Sequence, residues 1–130
     1  MIEAVLAEIV DRMIRSRIPY REGGRDIATG IDCEGWLRFV YESDGIVLPE
    51  DIYEARHLFA IVARPQLMDV AVFRSVKDSP IGNRHFGVML NRRVFTHCSA
   101  ESGGVAKCEI SREPYAGAFM HFARHRKYVS

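Results

Sequence analysis

Apolar residues recur at three- and four-residue intervals along the N-terminal stretch, the spacing that lines one side of an α-helix. This pattern predicts an amphipathic helix from Met1 to about Ser16 that ends before Pro19. The paired glycines Gly23 and Gly24 then predict a turn-rich connection. The apolar positions of the helix are Ile2, Val5, Leu6, Ile9, Val10, Met13 and Ile14.

The same periodicity predicts two further helices. The first begins at Cys33 and should end near Gly45, because glycine is the usual residue just past a helix. The second covers Asp51 to about Val62, before Arg64-Pro65 interrupts it. The apolar positions are Trp36, Leu37, Val40 and Tyr41 in the first of these helices, and Ile52, Ala55, Leu58, Phe59 and Val62 in the second.

The rest of the chain favours β-strands. Four segments are short, rich in β-branched or aromatic residues, and separated by turn formers. Helices first and strands later predict an α+β domain. Tyr115–Arg124 fits a short helix and Lys127–Val129 fits a terminal strand, and both assignments stay open. The four predicted strands are Met68–Arg74, Arg84–Leu90, Val94–Cys98 and Val105–Ile110.

Length and charge narrow the classes of protein that fit. With 130 residues, 48% of them hydrophobic, the chain can fill one core, so a single domain over residues 1–130 is predicted. A net charge of +1 argues against nucleic acid as a partner, because binding many phosphates needs a surplus of Lys and Arg. No stretch has the apolar length of a membrane span or the basic start of a secretion signal, so we expect synthesis in the cytoplasm without a signal peptide. Three cysteines without a C-x-x-C pair suit a reducing compartment.

Cys33 is the candidate nucleophile. It opens the second predicted helix, where unpaired backbone N–H groups and the positive end of the helix dipole favour a thiolate. Asp32 precedes it as a good N-cap, and Gly35 leaves one side of the first turn without a side chain. A single cysteine is more often a small buried apolar residue, as we expect for Cys98 and Cys108, so the assignment depends on suitable partners elsewhere in the chain.

Two histidines on consecutive predicted strands supply those partners. His85 and His97 share a sheet face only if the loop between their strands has an odd number of residues, because side chains alternate with a period of two. A three-residue loop, Asn91–Arg93, satisfies this condition and places Gly87 opposite His97, with His85 diagonal to it. A cysteine and two histidines in this order predict a thiol hydrolase.

Other chemistry fits the residues less well. The cysteines and histidines lack the short paired spacing of zinc sites, so no metal or other cofactor is predicted. No serine stands in a G-x-S-x-G elbow, which argues against a serine hydrolase. Tyr20 has two interpretations, a half-buried aromatic residue or a hydroxyl aimed at the active site.

Several short segments between Pro19 and Val105 form an ordered set. They are Tyr20 with Gly23 and Gly24, Asp32–Gly35, Leu48-Pro49, Met68–Phe73, His85–Leu90 and Val94–Cys98. This set resembles the NlpC-type cysteine peptidases of bacterial cell walls. In that family a tyrosine and paired glycines precede D-C-S-G, an L-P pair follows the helix, and the later strands read G-D-L-V-F-F, H-V-G-I-Y-L and F-I-H-A.

The resemblance implies a compact papain-like fold, with the nucleophile at a helix start packed on an antiparallel sheet, and cleavage of an amide bond in the peptide stem of peptidoglycan. Cys33 would attack, His85 would form an ion pair with it and protonate the leaving amine, and His97 would orient His85. The Cys33 backbone N–H and the Tyr20 hydroxyl would stabilise the oxyanion. Asp32 and Glu34 would lie beside the bound peptide.

The chain also departs from the family pattern. Glu34 replaces the usual serine, which implies an altered preference for the bound peptide. The lone domain and the segment Pro114–Gly117 near a basic terminus are most similar to members carried by bacteriophages, so phage-tail or tail-like particle proteins are predicted partners that could bring the enzyme to the cell wall. Two alternatives stay open: a thiol acyltransferase or amidase with another acyl substrate, and a phage-tail assembly or docking module.

Overall fold

The computed structural model describes residues 1–74 and 84–129, which form helices followed by an antiparallel sheet. The α-helices are α1 (Glu3–Arg15), α2 (Cys33–Ser43) and α3 (Tyr115–Ala118). The strands are β1 (Arg25–Asp26), β2 (Gly30–Ile31), β3 (Phe59–Val62), β4 (Val70–Arg74), β5 (Arg84–Met89), β6 (Val94–Ser99), β7 (Gly104–Glu109) and β8 (Phe119–His125). Short 3₁₀ helices cover Glu54–Leu58 and Arg126–Tyr128. The α+β class expected from the sequence is therefore confirmed.

Both long helices follow their apolar periodicity. α1 buries Leu6, Val10 and Met13, and α2 buries five residues of its first and middle turns. α2 ends where predicted, because Gly45 adopts a backbone φ of 80°, a conformation that favours glycine. None of the helices in the described ranges combines the length and apolar character that crossing a bilayer demands.

The main sheet has six antiparallel strands in the order β3-β8-β4-β5-β6-β7. From β4 to β7 each strand pairs with its neighbour in sequence, so neighbouring segments build that half of the sheet. β8 lies between β3 and β4 and closes the other half. β1 and β2 form a separate two-stranded sheet just before α2.

The two faces of the main sheet bury different groups of residues. One face packs against α1 and α2. The largest buried side chain in this cluster of sheet and helix residues is that of Trp36 in α2. Trp36 also donates a hydrogen bond through Nε1 to the hydroxyl of Thr96 on β6, at 3.0 Å. The opposite face carries a second, mostly aromatic cluster made of Ala71, Phe73, Met89, Phe95, Tyr115 and Phe122.

One predicted helix and two C-terminal assignments that the sequence left open differ from the structure. The predicted helix Asp51–Val62 is a 3₁₀ turn followed by strand β3, because the run Phe59–Val62 pairs with β8. The C-terminal helix is limited to α3, and the residues after it form β8. Lys127–Val129 adds no strand, since the chain turns there into a 3₁₀ helix. Pairing between distant segments decided these regions, and local periodicity does not report it.

An ion pair buried in the sheet joins two distant parts of the chain. Asp69, which is 0% exposed, accepts two hydrogen bonds of 2.9 Å from the guanidinium of Arg124 on β8. Its carboxylate also accepts from the backbone N–H of Gln66 at 2.8 Å. A buried charge requires this degree of pairing. The pair therefore fixes β8 against the segment that leads into β4.

Candidate active site

Cys33 is the first residue of α2, as the sequence predicted. Asp32 caps the helix, because its Oδ1 accepts a hydrogen bond from the backbone N–H of Gly35 at 2.8 Å. The second carboxylate oxygen accepts from the N–H of Gly23 at 3.0 Å. The cap thus anchors the glycine turn to the helix start that presents the thiol.

The thiol of Cys33 lies against the backbone of β5. Its sulfur is 3.9 Å from the carbonyl oxygen of Arg84, and the backbone N–H of Phe86 donates a hydrogen bond to it. These two residues flank His85, so the thiol is next to the backbone that carries the histidine. Across residues 1–74 and 84–129, however, no hydrogen bond joins Cys33 to either His85 or His97.

The expectation that the helix start makes Cys33 a thiolate is not met in the free protein. Burial, with a smaller contribution from the carboxylates of Asp32 and Glu34, raises the pKa of its thiol to about 11. Hydrogen bonds from the N–H groups of Phe86 and Glu34 act in the opposite direction but do not outweigh burial. The resting group is therefore a neutral thiol.

His85 and His97 meet on one face of the sheet. β5 and β6 pair Val88 with Thr96, a register that, when continued, places Gly87 opposite His97. The loop between the strands is the predicted Asn91–Arg93, held by its asparagine side chain. Nε2 of His85 and Nδ1 of His97 are 2.8 Å apart, a hydrogen-bond distance. The predicted three-residue loop and shared face are confirmed.

Both histidines are neutral at neutral pH. Burial lowers the pKa of His85 to about 4. Burial, together with repulsion from His85, lowers the pKa of His97 to about 3. A neutral imidazole carries one N–H and one lone pair, so each ring can donate through one nitrogen and accept through the other. The two rings can therefore belong to one line of hydrogen bonds in which every donor points in the same direction.

Cys108 is a member of this site that sequence reasoning missed. Its sulfur is 3.2 Å from Nε2 of His97, although the residue was predicted to be inert. β6 and β7 pair His97 with Ala106 and Phe95 with Cys108, which puts Cys108 diagonal to His97 on the same face. The alternation of residues along the predicted β6–β7 hairpin was the signal that could have found it.

Aromatic side chains enclose the histidine pair. The ring of Tyr115 stacks over that of His85 at a centroid distance of 6.1 Å and meets His97 edge-on at 5.1 Å. The ring of Phe95 lies 4.8 Å from that of His97 and 5.1 Å from that of Tyr115, and Phe73 lies 5.8 Å from His85. These contacts restrict ring rotation and exclude water, which explains why burial dominates both pKa values.

Tyr20 lies close to the start of α2, where Cys33 is. Its backbone pairs with Ile31, two residues before Cys33, and its side chain is half-buried. Burial and the carboxylate of Asp32 raise the pKa of its hydroxyl, so the group keeps its proton. Tyr20 is therefore a hydrogen-bond donor at neutral pH.

The two acidic residues beside Cys33 already have partners. Arg25 binds Asp32 at 2.8 Å and Glu34 at 2.7 Å through its two terminal nitrogens. Arg38, one turn further along α2, binds the same Glu34 oxygen at 2.9 Å. Glu34 thus joins β1 to α2. A ligand that contacts the Glu34 carboxylate would meet a group already paired with two arginines.

A cavity of about 570 Å³ lies on the helix side of the sheet next to β5. Its lining is mainly apolar and includes Leu37, Phe59, Val70 and Met120. Phe86, whose N–H contacts the Cys33 sulfur, also lines it. Among the described residues, no group of three or more His, Cys, Asp or Glu side chains has a metal-binding arrangement.

Comparison with known proteins identifies related sequences and folds. A sequence model described as the NlpC/P60 family matches residues 17–124. No curated protein matches the chain. The solved structures it resembles include an NLP/P60 family protein, titled as similar to lipoprotein, from Staphylococcus aureus subsp. aureus Mu50, with a TM-score of 0.70 and 21% identity over 91% of this chain and 41% of that one.

Two further solved structures carry names that state a function. The NlpC/p60 domain of the peptidoglycan hydrolase SagA has a TM-score of 0.59 and 23% identity over 88% of this chain and 93% of that one. The peptidoglycan hydrolase RipB from Mycobacterium tuberculosis has a TM-score of 0.59 and 18% identity over 94% of this chain and 66% of that one. At these identities the likeness concerns the fold. The chain spans about two fifths of the length of the staphylococcal protein.

Proposed function

This chain belongs to the NlpC/P60 family and has its papain-like fold, and from that premise we propose that it is a cysteine hydrolase that cleaves an amide bond in the peptide stem of peptidoglycan. The observation that carries the proposal is the placement of Cys33 at a capped helix start, against the backbone on either side of His85. The hydrogen-bonded pair of His85 and His97 adds the proton-handling groups that thiol catalysis needs. Two similar structures are named as peptidoglycan hydrolases, which agrees with this substrate class.

In the proposed mechanism His85 removes the thiol proton as Cys33 attacks. Nε2 of His85 is hydrogen-bonded to His97, so Nδ1 is the nitrogen left to accept the thiol proton. Sulfur adds to the amide carbonyl carbon, and the proton moves from Sγ to Nδ1 of His85. The imidazolium then gives this proton to the leaving amine as the C–N bond breaks. Water, deprotonated by His85, hydrolyses the resulting thioester and regenerates the thiol.

The resting pKa values decide when charge appears in this mechanism. With a thiol pKa of about 11 for Cys33 and an imidazole pKa of about 4 for His85, both groups are neutral before substrate binds. The ion pair therefore forms during attack, when the two charges are close and the negative charge passes to the carbonyl oxygen. The Cys33 backbone N–H and the Tyr20 hydroxyl are our proposed donors to that oxygen.

Digestion of purified peptidoglycan tests the proposal. Wild-type protein and Cys33→Ala are incubated with the polymer, and soluble fragments and new amino termini are identified by mass spectrometry. We expect fragments from wild type alone, and the new termini would name the bond that is cut. Cys98→Ser is the matched thiol control and should behave as wild type, because Cys98 contacts the Ile31 carbonyl at 3.2 Å rather than a histidine. Equal release by Cys33→Ala would overturn the assignment.

A second candidate function has one observation in its favour. The apolar cavity beside β5 is lined by Arg84 and Phe86, the two residues whose backbone contacts the Cys33 sulfur, and this is where an apolar acyl group would be held. Such a protein would be a thiol amidase or acyltransferase. Trapping an acyl-enzyme on Cys33 with a long-chain acyl thioester, but not with a stem-peptide substrate, would favour this function over wall hydrolysis.

We also propose that the protein is made in the cytoplasm and reaches the wall as part of a phage-tail or tail-like particle. The proposal rests on the resemblance of the segment Pro114–Gly117, near a basic terminus, to the pattern of phage-borne members. Mass spectrometry of purified particles tests this partner, and finding the chain only in the particle-free fraction would reject it. A chain in the particle that cuts no wall polymer would instead support the assembly or docking role.

A further inference from the structure

A line of three hydrogen-bonding groups runs from the proposed base into β7. We propose that Cys108 is a positioning residue of the active site. Its sulfur accepts a hydrogen bond from Nε2–H of His97 and so holds His97 in the form whose Nδ1 accepts from Nε2–H of His85. The effect on turnover rests on the proposed hydrolase function, whereas the hydrogen-bond pattern does not.

Distances and burial show that His97 depends on both neighbours. Its Nδ1 is 2.8 Å from Nε2 of His85, and its Nε2 is 3.2 Å from the sulfur of Cys108. The His97 side chain is 0% exposed, so bulk water does not replace either partner. A buried ring nitrogen without a partner is costly. Within the described ranges, Cys108 is the partner that satisfies Nε2.

Only one arrangement of protons suits a general base. If His97 donates through Nε2 to sulfur, its Nδ1 accepts from Nε2–H of His85, and Nδ1 of His85 keeps a lone pair for the thiol proton. If the Cys108 thiol donates to Nε2 instead, His97 donates through Nδ1 to His85. The proton of His85 is then placed on Nδ1, which cannot accept another. Cys108 must therefore act as an acceptor for His85 to work.

The chemistry of a thiol fits the acceptor role. A thiol is a weak donor and a weak acceptor, whereas an imidazole N–H is a good donor that sets the direction of this bond. Burial raises the pKa of Cys108, so the group stays neutral and does not draw a full proton from His97. When His85 becomes an imidazolium during attack, it must still donate through Nε2 to His97, and His97 must still donate through its own Nε2 to Cys108. The arrangement thus serves the resting state and the ion pair alike.

Nitrogen NMR of ¹⁵N-histidine-labelled protein tests the hydrogen-bond pattern without any substrate. We expect the Nε2–H form for His97 in the wild type and in Cys108→Ser, whose hydroxyl can also accept. In Cys108→Ala we expect a mixture of the two forms, because nothing fixes Nε2. An Nδ1–H form of His97 in the wild type, or an unchanged single form in Cys108→Ala, would overturn the proposal.

Turnover and its pH dependence test the consequence. We expect kcat of Cys108→Ala to fall roughly 10-fold with little change in KM, the rate factor that corresponds to one lost hydrogen bond, while Cys108→Ser keeps most activity. Without the acceptor the His85 imidazolium is less stable, so the acid limb of kcat/KM should move to lower pH in Cys108→Ala alone. Cys98→Ser, whose hydroxyl can still donate to Ile31, is the control and should match wild type.

The two measurements separate the inference from the proposed function. If wild-type protein releases nothing from peptidoglycan, the hydrolase proposal fails, yet the NMR result still decides the role of Cys108. If wild type is active and Cys108→Ser falls as far as Cys108→Ala, or the pH profile is the same in both, Cys108 is only a packing residue. Thermal unfolding followed by circular dichroism confirms that both variants are folded before they are compared.

Discussion

At Cys33 two local effects on the thiol oppose each other. The helix start and the N–H groups of Phe86 and Glu34 favour a negative sulfur, while burial and two nearby carboxylates disfavour it. Burial is the larger effect, so the pKa is raised. A capped helix N-terminus can be recognised in a sequence, but the depth at which the folded chain buries that terminus cannot.

The first prediction concerns the reactivity of this thiol. Iodoacetamide reacts with thiolates, so alkylation of Cys33 at pH 7 should be slower than that of free cysteine. The rate should rise with pH and approach half its maximum near pH 11. Site-resolved mass spectrometry of alkylated peptides measures it. Fast alkylation with a midpoint below pH 8 would show that the resting group is a thiolate after all.

The second prediction concerns the histidine that orients the base. In His97→Gln an amide oxygen can accept from Nε2–H of His85, so part of the orienting contact survives. We expect kcat/KM to fall by about 10- to 100-fold, the rate factor for weakening one hydrogen bond to a charged group, and by much less than in Cys33→Ala. If His97→Gln is as inactive as Cys33→Ala, then His97 transfers protons itself.

At the scale of the element, the start of α2 depends on close backbone packing. Gly35 lies so near the glycine turn that a Cβ there would be 2.4 Å from the carbonyl oxygen of Gly24. Gly24 itself faces the carbonyl oxygen of Gly30, and a Cβ would meet it at 2.2 Å. The turn and the helix therefore fix each other, which positions the Cys33 backbone N–H and Tyr20.

The third prediction follows from this packing. Gly35→Ala should destabilise the protein by about 1–3 kcal/mol, since overpacking forces backbone shifts that outweigh the better helix propensity of alanine. Activity should fall as well, because the displaced turn carries Tyr20. Denaturant unfolding and fragment release measure the two effects. Glu42→Ala, on the exposed side of α2, is the control; a Gly35→Ala protein as stable as that control would contradict the steric argument.

Elements differed in how far the sequence could predict them. α2 and the hairpins from β4 to β7 followed local periodicity, because their neighbours in space are also neighbours in sequence. The sequence predicts a helix end where β3 lies, since the apolar residues of Phe59–Val62 fit either structure. Its partner β8 lies about 60 residues away, and no local pattern encodes that pairing. Cys108 was missed for a related reason, because its role depends on register with His97.

At the scale of the whole molecule, one buried ion pair holds the two halves of the sheet together. Arg124 projects from β8, and Asp69 lies just before β4. The fourth prediction is that Arg124→Met destabilises the protein by about 3–5 kcal/mol, because it leaves the Asp69 carboxylate buried without its partner. Denaturant unfolding measures the change. The double variant Asp69→Leu with Arg124→Met should recover much of the loss, and no recovery would argue against an electrostatic cause.

The fifth prediction is an acid-dependent loss of stability. His85 and His97 have folded pKa values of about 4 and 3, below their unfolded value of about 6.5, so the unfolded chain binds more protons between these limits. Their contribution is complete above about pH 6.5 and declines as pH falls, by up to about 1.4 kcal/mol per pH unit for each histidine. Unfolding at pH 7 and pH 5 measures this. His97→Gln should flatten the slope, and an unchanged slope would contradict the assignment.

The position of β8 has a consequence for synthesis. A ribosome releases β3 and β4 long before β8, the strand that lies between them in the sheet. The edges of β3 and β4 that pair with β8 therefore stay unpaired until residue 125 has emerged. The hairpins that carry His85, His97 and Cys108 can assemble earlier, but the sheet that supports them closes last. A nascent chain would therefore bring its histidines together before β8 completes the sheet that supports them.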